Sequence, residues 1–131
     1  MFRRKRLPDD LAAAYASFEA VLAELEPGKA ALADVLPGTR MPGRPLHDAL
    51  AGYAARLGAA EPLMPGWRRP EVEDAWHACR DGIARARERT DAAIHAADPV
   101  GFEALLGLVS SLLDPLDPFA DAEDRFRRLR R

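Results

Sequence analysis

The apolar and small residues between Pro70 and Ala97 recur with the period of an α-helix. They are separated by three or four residues, which places their side chains along one helical face, whereas a strand would require steps of two. The positions are Val72, Trp76, Cys79, Ile83, Ala86, Thr90, Ile94 and Ala97. Because such a helix has to bury its stripe against other helices, the pattern predicts an all-α fold.

Similar stripes, separated by proline and glycine, predict a compact up-and-down bundle of five or six helices. The predicted helices cover residues 8–25, 29–36, 45–57, 70–97, 99–113 and 118–130. The segment Glu26-Pro27-Gly28 is expected to separate the first two, because proline removes a helical hydrogen bond and glycine favours other conformations. Gly82 lies within the long helix, where we expect a bend rather than an end. The predicted core contains Phe18, Leu22, Leu50, Trp76, Ile83, Leu105 and Val109.

The composition is typical of a globular protein. A chain of 131 residues, of which 48% are hydrophobic and 31% charged, is expected to form a single helical domain over residues 1–131. Its one cysteine, Cys79, cannot form an internal disulfide. No long apolar run follows Met1, and the most apolar segment, 102–113, is far shorter than the ~20 residues that span a bilayer. We therefore expect a cytoplasmic protein with no membrane association.

Basic residues are concentrated at both ends of the chain. Residues 1–6 contain four and residues 125–131 contain five, whereas the rest of the chain has ten basic and 21 acidic residues. They define a basic N-terminal arm (1–7) and a basic C-terminal helix end (125–131), which could contact phosphates. The acidic body would repel a polyanion, and no nucleic-acid-binding motif is present. The favoured interpretation is therefore that both basic ends are exposed to solvent. Nucleic-acid association through the termini is kept as a further functional hypothesis, behind the two given below.

The predicted helix over 99–113 is apolar on nearly every side. Small residues fill the gaps between its large apolar side chains, which are Phe102, Leu105, Leu106, Leu108, Val109, Leu112 and Leu113. A helix of this kind is usually buried nearly all round. It is therefore expected to be either the central helix of the bundle or one half of a homodimer interface.

The sequence contains only an incomplete candidate for a metal site. His77 lies three positions after Asp74, the spacing of the acid-x-x-His pairs in di-metal helical bundles. No second pair exists elsewhere, so we predict no metal and no cofactor. The three histidines are instead expected at the surface, each paired with an acid. The predicted pairs are His47 with Asp48, His77 with Asp81, and His95 with Asp91.

No familiar catalytic arrangement is present either. Cys79 belongs to the apolar stripe of the long helix, and buried cysteine is usually an inert small hydrophobe. No serine occupies a nucleophile-elbow motif, and the glycines do not form a phosphate-binding loop. An enzymatic activity is therefore not the favoured expectation, and no catalytic residue is predicted.

Two connections rich in proline and glycine, 37–44 and 59–69, combine soft apolar, aromatic and cationic residues. Tryptophan and arginine are the residue types most often found as binding anchors. The candidate binding residues are Arg40, Arg44, Met64, Trp67, Arg68 and Arg69. The alternative is that Met64 and Trp67 fold back and close the end of the bundle, while the arginines contact water or nearby acids. This second interpretation is preferred, since long loops often pack on their own side chains.

A non-catalytic interaction or adaptor protein is the leading functional hypothesis. Its protein partner is unknown, and a homodimer through residues 99–113 is one form it could take. The alternative is a helical bundle that binds a small molecule between its helices. That pocket would be lined by Tyr15, His47, Tyr53, Trp76 and His77, with Arg40 or Arg68 at its mouth.

Overall fold

A computed structural model describes residues 6–37 and 43–130. Helix accounts for 86% of the described residues and none of them lies in a strand, so the all-α prediction is confirmed. The α-helices are α1 (Asp9–Asp34), α2 (Gly43–Ala60), α3 (Glu73–His95), α4 (Phe102–Leu113) and α5 (Pro118–Arg128). Short 3-10 segments cover Glu61–Trp67, Pro70–Val72 and Asp114–Leu116. Within the described ranges, no helix combines the length and apolar character needed to cross a membrane.

The predicted number of separate helices is not matched. Taken as continuous helical runs, the described residues form four, over 9–34, 43–67, 70–95 and 102–128, the last with one turn residue at Asp117. Each 3-10 segment continues an α-helix instead of forming a loop. The expected loop at 59–69 is therefore mostly helical, and the helices on either side of Pro115 are joined directly.

The predicted break at Glu26-Pro27-Gly28 is wrong, because α1 passes through Pro27 without ending. Buried residues continue on the same face on both sides of the proline, from Leu25 through Gly28 to Leu32. A Cβ atom on Gly28 would lie 3.1 Å from the Tyr53 ring. The glycine therefore allows α1 and α2 to approach closely, and the packing on α2 outweighs the local preference for a break.

Contacts between neighbouring runs pair residues in reverse order, so successive runs are antiparallel. Near the end of α1, Gly28 lies against Tyr53, whereas Ser17 lies against Gly66, farther along the second run. The second and third runs show the same order. Their pairs are His47 with Asp98, and Glu61 with Arg87. The fourth run returns along α3, since Arg89 donates a hydrogen bond to the Ser111 carbonyl oxygen at 2.9 Å.

The predicted core is buried with the exception of Leu22, which is half-buried. The buried face of α1 contains Leu11, Ala14, Phe18, Val21 and Leu25, so Val21 rather than Leu22 is fully buried there. The stripe on α3 also ends sooner than expected. It is buried as far as Thr90, but Ile94 is 43% exposed and Ala97 is exposed beyond the end of the helix. Periodicity identifies a face of the helix, whereas the extent of burial depends on where the neighbouring helices end.

Candidate functional site

Met64 and Trp67, two of the candidate binding residues, lie in the core of the protein. Both side chains belong to the 3-10 segment Glu61–Trp67 and are almost completely buried. The Trp67 indole packs edge-on against Phe18, with 4.9 Å between ring centroids, and its Nε1 donates to Met64 Sδ at 3.3 Å. These two residues therefore close the end of the bundle, as the alternative interpretation holds. Their assignment as partner-contacting residues is corrected, because no part of the Trp67 side chain is exposed.

Arg68 and Arg69, the next two candidates, are paired with acids of the same protein. Arg68 Nη2 donates to Glu73 at 2.9 Å, and its guanidinium lies 4.5 Å from the Trp76 ring centroid. Arg69 Nη2 donates to Asp10 at 2.7 Å, which connects the start of α3 to the start of α1. The Arg68 hydrogen bond lowers the pKa of Glu73. Both arginines therefore stabilise the arrangement of neighbouring segments, although such exposed pairs contribute little individually.

The two remaining candidates from the first connection do not join this group. Arg40 lies outside the described residues. Arg44 is exposed in the first turn of α2, 4.0 Å from Asp48. Arg68 follows the 3-10 segment that continues the opposite end of α2, so the whole of α2, about 27 Å long, lies between the two arginines along the chain. Arg44 and Arg68 are therefore not neighbours in one cluster.

The structure does not pair Asp74 with His77. His77 Nε2 lies 2.9 Å from Glu73, four residues earlier, so its partner is neither Asp74 nor the predicted Asp81. His47 is also paired differently from the prediction, with Asp98 across the α2–α3 interface at 2.7 Å. Only the third predicted pair is found, with His95 3.8 Å from the Asp91 carboxylate. Among the described residues, no three histidine, cysteine or acidic side chains are arranged to hold an ion.

Cys79 is completely buried, and it is the only cysteine of the chain. Burial, followed by the charge of Asp121, raises the pKa of its thiol to about 12. The thiol therefore stays protonated at neutral pH. Since the thiolate is the reactive form, this environment does not support nucleophilic chemistry.

The two tyrosines proposed to line a small-molecule pocket bind different helices. Tyr53 is buried and donates to the Leu112 carbonyl oxygen of α4 at 2.8 Å, whereas Tyr15 on α1 donates to Glu123 on α5. A cleft of about 220 Å³ lies beside Trp76, Met64 and Arg80, below the ~300–1,000 Å³ of typical ligand pockets. A larger hollow of about 390 Å³ lies between the end of α1 and the start of α2, but none of the predicted pocket residues lines it.

Both tyrosines of the chain are expected to ionise well above their ordinary pKa of about 10. Burial and the hydrogen bond to Glu123 raise the pKa of Tyr15 to about 12, and burial raises that of Tyr53 further. A raised pKa means that folding favours the neutral phenol. This stabilisation is complete below about pH 10 and is lost as the pH rises through the folded-state pKa. An absorbance titration of tyrosinate should show little ionisation of the native protein at pH 10, against about half in denaturant; equal curves would contradict the burial.

The basic C-terminal end lies beside the beginning of α1. Arg130 is placed over the Tyr15 ring at 5.6 Å, and Arg127 is 3.4 Å from Asp124. Arg6 is exposed, and the rest of the basic arm up to residue 5 lies outside the described residues. Two acids, Asp9 and Asp10, lie in the first turn of α1. Nucleic-acid association through the termini therefore stays a hypothesis.

The helix α4 is buried on one face only, so it is not the central helix of the bundle, the first of the two expectations. The second expectation, one half of a homodimer interface, stays a prediction. Leu105, Val109 and Leu112 enter the core, but Phe102 is 59% exposed and Leu106 is 42% exposed. Val100, just before the helix, is 92% exposed. Leu113, the last residue of α4, is half-buried. Together, Val100, Phe102, Leu106 and Leu113 form an apolar ridge, here named the α4 edge. The apolar pattern indicates that this helix needs partners on more than one face, but which side chains remain exposed depends on the position of its neighbours.

Acidic residues accompany the α4 edge. Between residues 90 and 124 the chain has eight acids and neither lysine nor arginine. Glu103 lies in the first turn of α4, and Asp114 and Asp117 follow its last turn. No basic side chain among the described residues comes within 4.0 Å of these three carboxylates. The edge therefore combines exposed apolar groups with carboxylates whose charges are not compensated locally.

Comparisons of the chain with models of protein families, with curated proteins and with solved structures give no match. Of the surfaces considered above, the α4 edge is the one where large apolar side chains remain exposed together.

Proposed function

We propose that this chain is a non-catalytic interaction protein that binds another protein through the α4 edge. The observation that carries the proposal is the exposure of Phe102 and Leu106. These residues are one helical turn apart, so their side chains are neighbours on the same surface. An isolated exposed leucine needs no explanation, but adjacent large apolar groups on the most apolar helix of a protein favour an interaction site.

The free energy gained by burying the exposed side chains of the α4 edge is large enough to support binding of a partner. Complete burial of a leucine or phenylalanine side chain is worth about 1.5–3 kcal/mol, and roughly half of each is still exposed here. Covering Phe102 and Leu106 together would therefore contribute about 1.5–3 kcal/mol, comparable with a small binding hot spot. The other candidate anchors contribute less, since Trp67 is buried and the arginines beside it are paired with acids.

Site-specific photocrosslinking in cells that produce the protein tests this proposal. A photoreactive residue at Leu106 is compared with one at Leu63, an apolar side chain that is 37% exposed in the 3-10 segment Glu61–Trp67. We expect one defined protein adduct from position 106, no such adduct from position 63, and loss of the adduct when Phe102→Ser is added. Equal labelling from both positions, or an adduct that is unaffected by Phe102→Ser, would contradict the proposal.

A homodimer through residues 99–113 would use the same surface. A twofold interface places the same patch of both copies together, so Glu103 and Asp114 of each copy would face a second set of identical acids. Like charges at an interface oppose association. We therefore favour a different protein as the partner. Light scattering at increased salt, where the repulsion between the acids is screened, distinguishes the two cases. A stable dimer would support the homodimer, and a monomer would contradict it.

A further inference from the structure

We propose, on the basis of the function proposed above, that the partner of the α4 edge is an amphipathic helix with a cationic rim. The partner would place apolar side chains on Phe102 and Leu106 and basic side chains near the carboxylates at both ends of α4. Three features of the described residues lead to this chemistry, namely the length of the exposed ridge, its spacing, and the distribution of charge around it.

The exposed ridge has the dimensions of a short helix–helix contact. From Phe102 to Leu113 the helix makes about three turns and extends about 16 Å. Phe102, Leu106 and Leu113 follow one another at four and seven positions, which places them in one stripe on the same side of the helix. Phe102 and Leu106 are exposed, whereas Leu113 packs partly against the core. A partner helix with apolar residues at the same spacing would cover this stripe. A single inserted side chain would leave most of it exposed.

The charges around the ridge select a cationic partner. Glu103 lies three positions before Leu106, so the two side chains are surface neighbours. Asp114 directly follows Leu113 at the other end. Neither carboxylate has a basic partner within ion-pair distance among the described residues, as noted above. Lysine or arginine in the partner would supply the missing charges at both ends of the contact, whereas an acidic partner would be repelled.

The chemical selectivity can be measured with synthetic peptides and the full chain. The cationic probe is a helix about four turns long, made of leucine at helical spacing and lysine elsewhere. The matched probes carry glutamate in place of every lysine, or the same residues in scrambled order. Binding is followed by fluorescence anisotropy at low salt and again at increased salt.

We expect the cationic helix to bind the protein more tightly than either matched probe, and its affinity to fall as salt is added. Leu106→Ser should weaken binding about tenfold, corresponding to about 1.4 kcal/mol, while Leu63→Ser should leave it unchanged. Glu103→Gln should weaken binding severalfold, whereas Glu88→Gln, an exposed acid on α3, should not. Circular dichroism of every variant verifies that the fold is retained.

Two results would overturn the inference. Binding of the cationic helix that is insensitive to Leu106→Ser and Glu103→Gln would show nonspecific attraction to an acidic protein. Equal or tighter binding of the glutamate probe would show that the surface does not prefer a cationic partner. In either case a protein adduct at position 106 in the crosslinking experiment would still support the proposed function, so failure of the partner's chemistry and failure of the interaction surface are distinguishable.

Discussion

Replacing Trp67 with alanine is expected to lower the free energy of unfolding by about 3–5 kcal/mol. The indole is completely buried and touches three aromatic rings that belong to two different helices. These rings are Phe18 on α1, and Phe119 and Phe126 on α5. The remaining cavity would be surrounded by rings fixed on separate helices, so it could not collapse easily. A loss of this size is a large fraction of the stability of a typical domain.

Urea unfolding followed by circular dichroism measures this effect. Leu63→Ala is the matched control, because Leu63 lies in the same 3-10 segment with its side chain partly exposed. We expect it to cost about 1 kcal/mol or less. A Trp67→Ala protein as stable as the Leu63→Ala protein would show that the indole is not part of the core. The comparison also separates stability from binding, since a partner lost in the Trp67 variant could be lost through unfolding alone.

Replacing Gly82 with alanine is expected to destabilise the protein by at least about 2 kcal/mol, although alanine is the better helix former. The Gly82 position is buried in the middle of α3. A Cβ atom there would overlap the carbonyl oxygen of Pro115 and lie 3.2 Å from its carbonyl carbon. Both atoms belong to the backbone, which cannot rotate away as a side chain would. The helix α3 and the segment Asp114–Leu116 would therefore have to move apart.

Glycines without such a neighbour provide the control. Gly52 on α2 and Gly107 on α4 are exposed, and a Cβ atom on either would meet no atom within 4 Å. Gly52→Ala and Gly107→Ala should each stabilise the protein by about 0.5–1 kcal/mol, through helix propensity alone. The measurement is the free energy of unfolding in urea, with all three variants compared under one condition. A stabilising Gly82→Ala substitution would contradict the close approach of α3 to Pro115.

The predicted role of Gly82 shows how local and tertiary information differ. The sequence places a glycine within a strongly periodic helix, and propensity alone assigns it a modest cost. The structure assigns it a contact with the backbone of the fourth helical run, which no spacing within α3 reveals. Gly28 is a second example, because a proline–glycine pair that is typical of a break lies inside α1, and the glycine packs against Tyr53.

The surroundings of the candidate binding residues likewise depend on tertiary contacts. Trp67 follows two prolines and a glycine, a context typical of an exposed connection, yet the segment forms a 3-10 helix that faces the core. His77 and His47 have acids nearby in the sequence, but their partners are Glu73 one turn earlier and Asp98 on another segment. Residue type and local context select these candidates, but their surroundings are set in part by segments distant in the chain. Their accessibility therefore does not follow from the sequence alone.

The sequence by itself determined the all-α class, most of the core and the approximate positions of the helices, because these follow from the period of apolar side chains along each segment. Only the tertiary structure decided that α1 continues through Pro27, that Trp67 is buried, and that Phe102 and Leu106 are exposed. The reason is physical. Periodicity identifies which face of a helix is apolar, whereas the position and length of the neighbouring helices decide how much of that face is buried.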